Sequence, residues 1–225
     1  MERVDGRHSR WDDHRVRRRR ALVESALRAI RRHGSTLTLD DVAAMAGTSK
    51  TVLYRYFGDR VGLYLGIVDR VSENILADLL PRLDESARRG VAAIVHELID
   101  AYSALVERDP EIYRFVMNRP VATPDTAEAV ASIEARVAEA LADTLAATRG
   151  TARPVAETLA HGLVGFAKAA CDHWLRSGAD GDLRPRDVLV TEVTALFRPG
   201  ASTVDIVPLS FITTEPAMTP GKELS

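Results

Sequence analysis

The stretch TLDDVAAMAGTSKTVLYRYF, residues 38–57, reads as two short helices broken by a glycine. Thr38 followed three residues later by Asp41 is a capping-box pattern, in which each side chain satisfies an amide that the first helical turn leaves without a partner. Val42, Ala43 and Ala46 fall on one face of that first helix. Gly47 lacks a Cβ, which permits the tight turn between two crossed helices. Ser49 stands where a cap for the second helix is expected, and Val52, Leu53 and Phe57 give that helix one apolar side. Lys50, Thr51, Arg55 and Tyr56 are left pointing outward, and Gly58 ends the helix. This is the pattern of a helix-turn-helix element that reads DNA.

Working back from this stretch, Leu22, Ala26, Ala29, Ile30 and His33 recur at helical spacing between residues 17 and 33, and Gly34 closes that helix. Arg15, Arg17, Arg18, Arg19 and Arg20 form a basic cluster that runs into it. Residues 1–16 show no period and are expected to be a mobile basic arm that lies along DNA or stays disordered. Charge is unevenly divided. Residues 1–60 carry 14 Lys and Arg against 8 Asp and Glu, while residues 61–225 carry 16 against 24, so a net charge of −2 conceals a basic end suited to a polyanion.

Working forward, Asp59 caps a fourth helix in which Leu63, Ile67, Val71, Ile75 and Leu79 keep an apolar stripe until Pro81, where the helix is expected to stop. Further helical patterns cover residues 90–108, the run EIYRFVMN with Pro110 in its first turn and Asp109 as cap, residues 125–147 and residues 154–177. A last helix opens at Pro185. The reading is therefore all-α, about nine helices. It divides into a helix-turn-helix domain over 17–60, a helical ligand-binding and dimerisation domain over 61–198, and a partly disordered tail over 199–225. At 46% hydrophobic the chain can bury a core.

The run VAAMAGTSKTVLYRYFGDRVGLY resembles the DNA-binding signature of the TetR family of one-component regulators, over about 45 residues with the first helix included. Thr48 departs from the apolar residue usual there, and Arg60 from the commoner lysine. The resemblance implies that Thr38, Tyr54, Tyr56 and Arg60 bind operator phosphates, while Ser49, Lys50, Thr51 and Arg55 approach base edges in the major groove of double-stranded DNA. For Tyr54 the alternative is a ring packed behind the recognition helix. The resemblance makes the fourth helix the lever between ligand and DNA, with Gly62 and Gly66 softening its start. It makes the last two helices a dimer interface through Leu159, Gly162, Leu163, Gly165, Phe166, Ala169, Val193, Leu196 and Phe197, against the alternative of an intrachain pair. Repression is the family's commoner mode.

Tyr102, Phe115, Met117, Asn118, Phe166 and Trp174 are candidates for a small-molecule pocket between helices, or else plain core. The segments RDPEIYRFVMN and GLVGFAKAACDHWL resemble a TetR subgroup that regulates lipid metabolism, some of whose members answer to acyl-CoA, which implies a lipid-like effector. No catalytic motif, metal-ligand spacing or cofactor loop is present in the sequence, so neither an enzyme nor a cofactor is expected. A DNA binder of the same fold without an effector is the alternative, and an enzyme on a borrowed fold a more distant one. A lone cysteine, Cys171, and the lack of an apolar leader or an 18-residue apolar run place the chain in the cytoplasm, with no membrane contact.

Overall fold

The computed structural model describes residues 6–34, 37–118, 122–177 and 185–198, with side chains from His14 onward and that of Asn118 excepted. Nine α-helices make up these residues, with no strand among them: α1 Gly6–His33, α2 Leu39–Met45, α3 Lys50–Phe57, α4 Arg60–Arg89, α5 Val91–Arg108, α6 Pro110–Asn118, α7 Pro124–Arg149, α8 Arg153–Ser177 and α9 Arg186–Ala195.

Two apolar clusters hold the helices. The head cluster joins Leu22, Ala26 and Ile30 of α1 to Val42, Leu53 and Phe57, to Leu63, Ile67 and Val71 of α4, and to Ile112, Phe115 and Val116 of α6. The body cluster joins Leu79 and Leu83 of α4 to Ile94 and Leu98 of α5, Leu141 of α7, Cys171 and Trp174 of α8, and Leu189 of α9. Ile75, on α4 between the two, packs against both. The head core thus extends beyond residue 60 and takes in α6, which sequence spacing assigns to the body.

Several expectations change. The helix forecast from residue 17 begins at Gly6, so most of the forecast arm is helical. Residues 7–33 contain neither Pro nor Gly and are rich in arginine, a good helix former, so a helix nucleated by the packed turns extends at little cost. His33 lies on the exposed side instead of the core. Pro81 does not stop α4, which continues to Arg89. A proline inside a helix costs about 3 kcal/mol. Leu79, Leu83 and Ala87, all buried on either side of it, outweigh that at roughly 1.5–3 kcal/mol per large side chain.

The caps also differ in part. Thr38 and Asp41 form the reciprocal box, and Thr123 forms another with Thr126 ahead of Pro124. Asp59 accepts from the Gly62 amide at 2.8 Å. Ser49 has cap-like backbone angles but makes no side-chain cap bond. The Asp109 carboxylate turns to arginines instead of the amides of α6, although its carbonyl accepts from Tyr113. Residues 199–225, including the forecast tail, lie outside the described residues.

Candidate nucleic-acid interface and interior cavity

The turn is built around residues 46–49. Ala46 keeps right-handed angles, Gly47 takes φ 59°, which an L side chain seldom adopts, and Ser49 is extended at φ −107° and ψ 159°. Leu53 and Phe57 bury one side of α3, with Val52 half-buried beside them. Lys50, Thr51, Tyr54 and Arg55 are exposed on the other, as are Thr38, Ser49 and Arg60. Tyr54 is 47% exposed, so its ring does not pack behind the helix. Tyr56 does so in part. It is half-buried against the head cluster, with the Arg55 guanidinium 5.4 Å from its ring centre.

Two of these groups are already engaged by polar partners within the chain. The Lys50 ammonium pairs with Asp40 at 3.0 Å. The Thr38 hydroxyl donates to Asp41 Oδ2 at 2.6 Å, and this bond, with a second from the Thr38 amide, holds the Asp41 carboxyl below its usual range. No side-chain bond caps the start of α3, and the exposed Ser49 hydroxyl stands beside first-turn amides, a helix N-terminus that favours an anion.

Close packing fixes α3 on α4. A Cβ at Gly62 would fall far inside contact distance of the Phe57 carbonyl oxygen and 3.0 Å from its carbon. At Gly66 it would meet Arg19, Phe57 and Val23 at 3.2 to 3.4 Å. These glycines therefore permit close approach; softness of the helix is not needed to explain them. Arg19 lays its guanidinium over the Phe57 ring at 5.1 Å, and Arg20 reaches Glu73 at 3.5 Å, so two of the five clustered arginines contact α3 or α4.

A second connection runs from α1 to α6. Arg31 Nε donates to Asp109 Oδ1 at 2.6 Å and Nη2 to Oδ2 at 3.2 Å. The Tyr64 hydroxyl, buried on α4, donates to the Val116 carbonyl at 2.6 Å. Arg31, and to a lesser degree Arg108, depress the Asp109 carboxyl although burial opposes them. A depressed carboxylate stabilises the fold fully above its ordinary titration near pH 4 and ceases to do so as pH falls through the lower folded value. Asp109→Asn should therefore cost about 1 kcal/mol at pH 7, a modest figure because Arg31 is half-exposed. The gap between the two proteins in urea titrations should close as pH falls from the ordinary carboxylate range through the lower folded value; a gap that does not shrink on acidification would deny the ionic origin.

Between α4, α5, α7 and α8 lies an open cavity of about 130 Å3, walled by Ile75, Leu79, Leu98, Val137 and Val164 among others. A second, of about 70 Å3, continues toward α6 along Val71, Ile112, Val116, Met117 and Val130. Ile75, Tyr102, Leu105, Ile133, Glu134 and Lys168 line both. Behind this wall Asp172 ties three lining residues together: Tyr102 and, from the second cavity, Tyr113 donate to its Oδ1 at 2.8 and 3.1 Å, and Lys168 donates to its Oδ2 at 2.7 Å. Burial pushes both tyrosines up. For Asp172 burial acts upward too, but the bonds from Lys168 and the tyrosines outweigh it and the carboxyl is lowered.

Of the pocket candidates, Tyr102 and Met117 line these cavities. Phe115 is buried in the head against Tyr64, their rings 5.9 Å apart, and Trp174 in the body core. Phe166 is exposed and faces Phe197 at 5.1 Å. These three are corrected: each turns away from the void its helix borders, which spacing along one helix cannot reveal. The Asn118 side chain lies outside the described residues. Tyr113, Glu134, Lys168 and Asp172 were missed, although Lys168 and Asp172, four apart on α8, are an i, i+4 ion pair that the sequence contains.

On the outer side of α8, Leu159, Gly162, Gly165, Phe166 and Ala169 are exposed, as is Leu196 just beyond α9. Leu163, Val193 and Phe197 are half-buried beneath them. Val155, also exposed, extends the stripe by one turn, and Gly162 and Gly165 have open space where a Cβ would stand. Cys171 is buried, and burial pushes its thiol up to about 12. Among the described residues no group of three or more His, Cys, Asp or Glu is placed to hold a metal ion, and no helix is long and apolar enough to cross a membrane.

Comparison with known proteins follows the same division. Residues 22–67 match the domain described as bacterial regulatory proteins, tetR family, and residues 81–205 the tetracyclin repressor-like C-terminal domain. An HTH-type transcriptional regulator of Mycobacterium tuberculosis, Rv0472c, is 42% identical over 115 residues, which is 51% of this chain and 48% of the relative. The transcriptional activator FasR of Mycolicibacterium smegmatis is 28% identical over 142 residues, 62% of this chain and 63% of that protein. The chain thus spans about half the length of the first of these relatives. Among solved structures, a tetR-family regulator from Streptomyces coelicolor superposes with TM-score 0.58 at 23% identity, covering 80% of this chain and 78% of that one. AibR in complex with isovaleryl coenzyme A and operator DNA superposes with TM-score 0.51 at 20% identity, covering 80% and 97%. With an N-terminal helix-turn-helix and a helical C-terminal domain each matched over its own residues, the chain belongs to the TetR family of DNA-binding transcriptional regulators.

Proposed function

We propose that the chain is a cytoplasmic, ligand-responsive repressor that binds a near-palindromic operator as a homodimer. Ser49, Lys50, Thr51 and Arg55 approach base edges, and Thr38, Tyr54, Tyr56 and Arg60 hold phosphates. The observation that carries this reading is the α3 surface: Lys50, Thr51, Tyr54 and Arg55 are exposed together while Leu53 and Phe57 anchor the helix from behind. Lys50 exchanges Asp40 for DNA on binding, a cheap exchange because that ion pair is exposed. A palindrome read by one short helix per half-site requires a two-fold partner, and the exposed apolar stripe of α8 supplies a self-complementary face.

The effector is a lipid-like small molecule held in the paired cavities. Two solved relatives of the fold are complexes with isovaleryl coenzyme A and stearoyl-CoA, which makes acyl thioesters the natural comparison ligands. An effectorless DNA binder has no use for such a void, so the cavity favours the ligand-responsive reading over it. Release passes through α4 and also through α6, which places Ile112, Phe115 and Val116 in the head core and Tyr113 and Met117 at the cavity.

Lys50→Ala and Arg55→Ala test the assignment. Each should relax discrimination at one operator position by about 1–3 kcal/mol, whereas Arg60→Ala should weaken all sequences alike. Competition binding against operators substituted base by base measures this; uniform weakening by Lys50→Ala and Arg55→Ala would remove them from the base-reading role.

A further inference from the structure

We propose that the paired cavities accept an apolar chain bearing an ammonium head, with a neutral hydrogen-bond donor next in preference, and reject carboxylate and phosphate heads. This rests on the effector reading above and names the chemistry of that same site. The carrying observation is that, among the described residues, each of the three cations on the cavity wall lies between two carboxylates. Lys168 sits between Asp172 at 2.7 Å and Glu134 at 3.7 Å. Arg82 sits between Glu97 at 3.3 Å and Asp100 at 3.5 Å. Arg108 sits between Asp78 at 3.3 Å and Asp109 at 3.4 Å.

An anionic head at the junction therefore finds Lys168, the cation that lines both cavities, already held by Asp172, whose side chain is only 15% exposed. To win it the head must displace a carboxylate whose hydrogen bonds are already in place, and it then faces that carboxylate at short range. Like-charge juxtaposition in a partly desolvated wall is strongly unfavourable.

The wall instead presents acceptors. Tyr102 and Tyr113 spend their hydroxyl protons on Asp172, which leaves their oxygen lone pairs for a ligand. Glu134 lines both cavities, and its side chain is 42% exposed, paired with Lys168 at the long distance given above. An ammonium placed at the junction meets Glu134 and the tyrosine oxygens and, although Lys168 stands beside it, the carboxylates of Glu134 and Asp172 outnumber that one cation, while its chain follows the apolar walls in either direction.

Calorimetric titration of the full-length protein with decylammonium, 1-decanol, decanoate and decanoyl-CoA, each below its micellar concentration, tests the proposal. Decylammonium should bind at least ~10-fold more tightly than decanoate. In Glu134→Gln that ratio should collapse toward 1, while 1-decanol, which carries no charge, keeps its affinity and shows the cavity intact. Tighter binding of decanoate or decanoyl-CoA than of decylammonium overturns the head-group assignment but leaves the effector site standing, as does a ratio unmoved by Glu134→Gln. Failure of all four ligands to bind a protein that still binds operator removes the effector reading itself, and the head-group assignment with it.

Discussion

The double variant Leu159→Glu, Phe166→Glu should be a folded monomer that binds operator at least ~1,000-fold more weakly than the parent chain. The two positions sit seven residues apart on the outer face of α8, 45% and 37% exposed, with the open backs of Gly162 and Gly165 between them. Removing both side chains costs the single chain little, because the body cluster is held from the other side of the helix by Ala160, Val164, Ala167 and Cys171. In a two-fold pair the same face meets its own copy, so each glutamate is buried and set against its symmetry mate. Losing one half-site forfeits most of the difference between specific and non-specific affinity, typically a factor of ~1,000 or more. Sedimentation velocity at micromolar concentration and a fluorescence titration of operator DNA measure both effects. A parent protein that already sediments as a monomer, or a double variant that remains a dimer, would refute the assignment of this face.

Gly62→Ala should produce the largest effect of any single methyl group in the head. The added carbon has no room because what it meets is the Phe57 carbonyl, a main-chain group that cannot rotate aside. Either α3 lifts from α4 or the first turn of α4 opens, and Asp59 then loses its 2.8 Å bond from the Gly62 amide. Overpacking of this kind costs about 1–3 kcal/mol, and the better helix propensity of alanine returns about 1 at most. Operator affinity should fall more than ~10-fold, because a shift of α3 displaces every base-reading side chain together. The same substitution at Gly162 meets nothing within 4 Å in the single chain, so in the monomeric double variant it should be neutral or slightly stabilising. Thermal unfolding of the two alanine variants side by side tests the contrast; equal melting temperatures would mean that the α3–α4 joint yields.

Most of the head could be read from the sequence because its determinants are local. Thr38 and Asp41 cap within four residues of each other, Gly47 turns where it stands, and Leu53 and Phe57 share a face by spacing alone. The cavity could not be read this way. Whether Phe115, Phe166 or Trp174 faces a void, a core or solvent depends on which helices lie beside its own, and residues of similar size on similar helices took three different destinations. Polar residues were harder still. Asp172 acquires its role from Tyr102 and Tyr113, 70 and 59 positions away, and no short-range pattern announces such a meeting. Pro81 shows the converse, a strong local stop overridden by Leu83 and Ala87 finding buried places further along α4. The early start of α1 at Gly6 reflects an absence of local objection, which periodicity does not score.

The 30 residues of α4, roughly 45 Å of continuous helix, thread both apolar clusters and leave Ile75 in contact with each. Neither cluster can come apart while the other keeps α4 intact without baring that shared side chain. The amides around Ile75 should accordingly exchange their hydrogens only through global opening, and the protein should melt in a single cooperative transition.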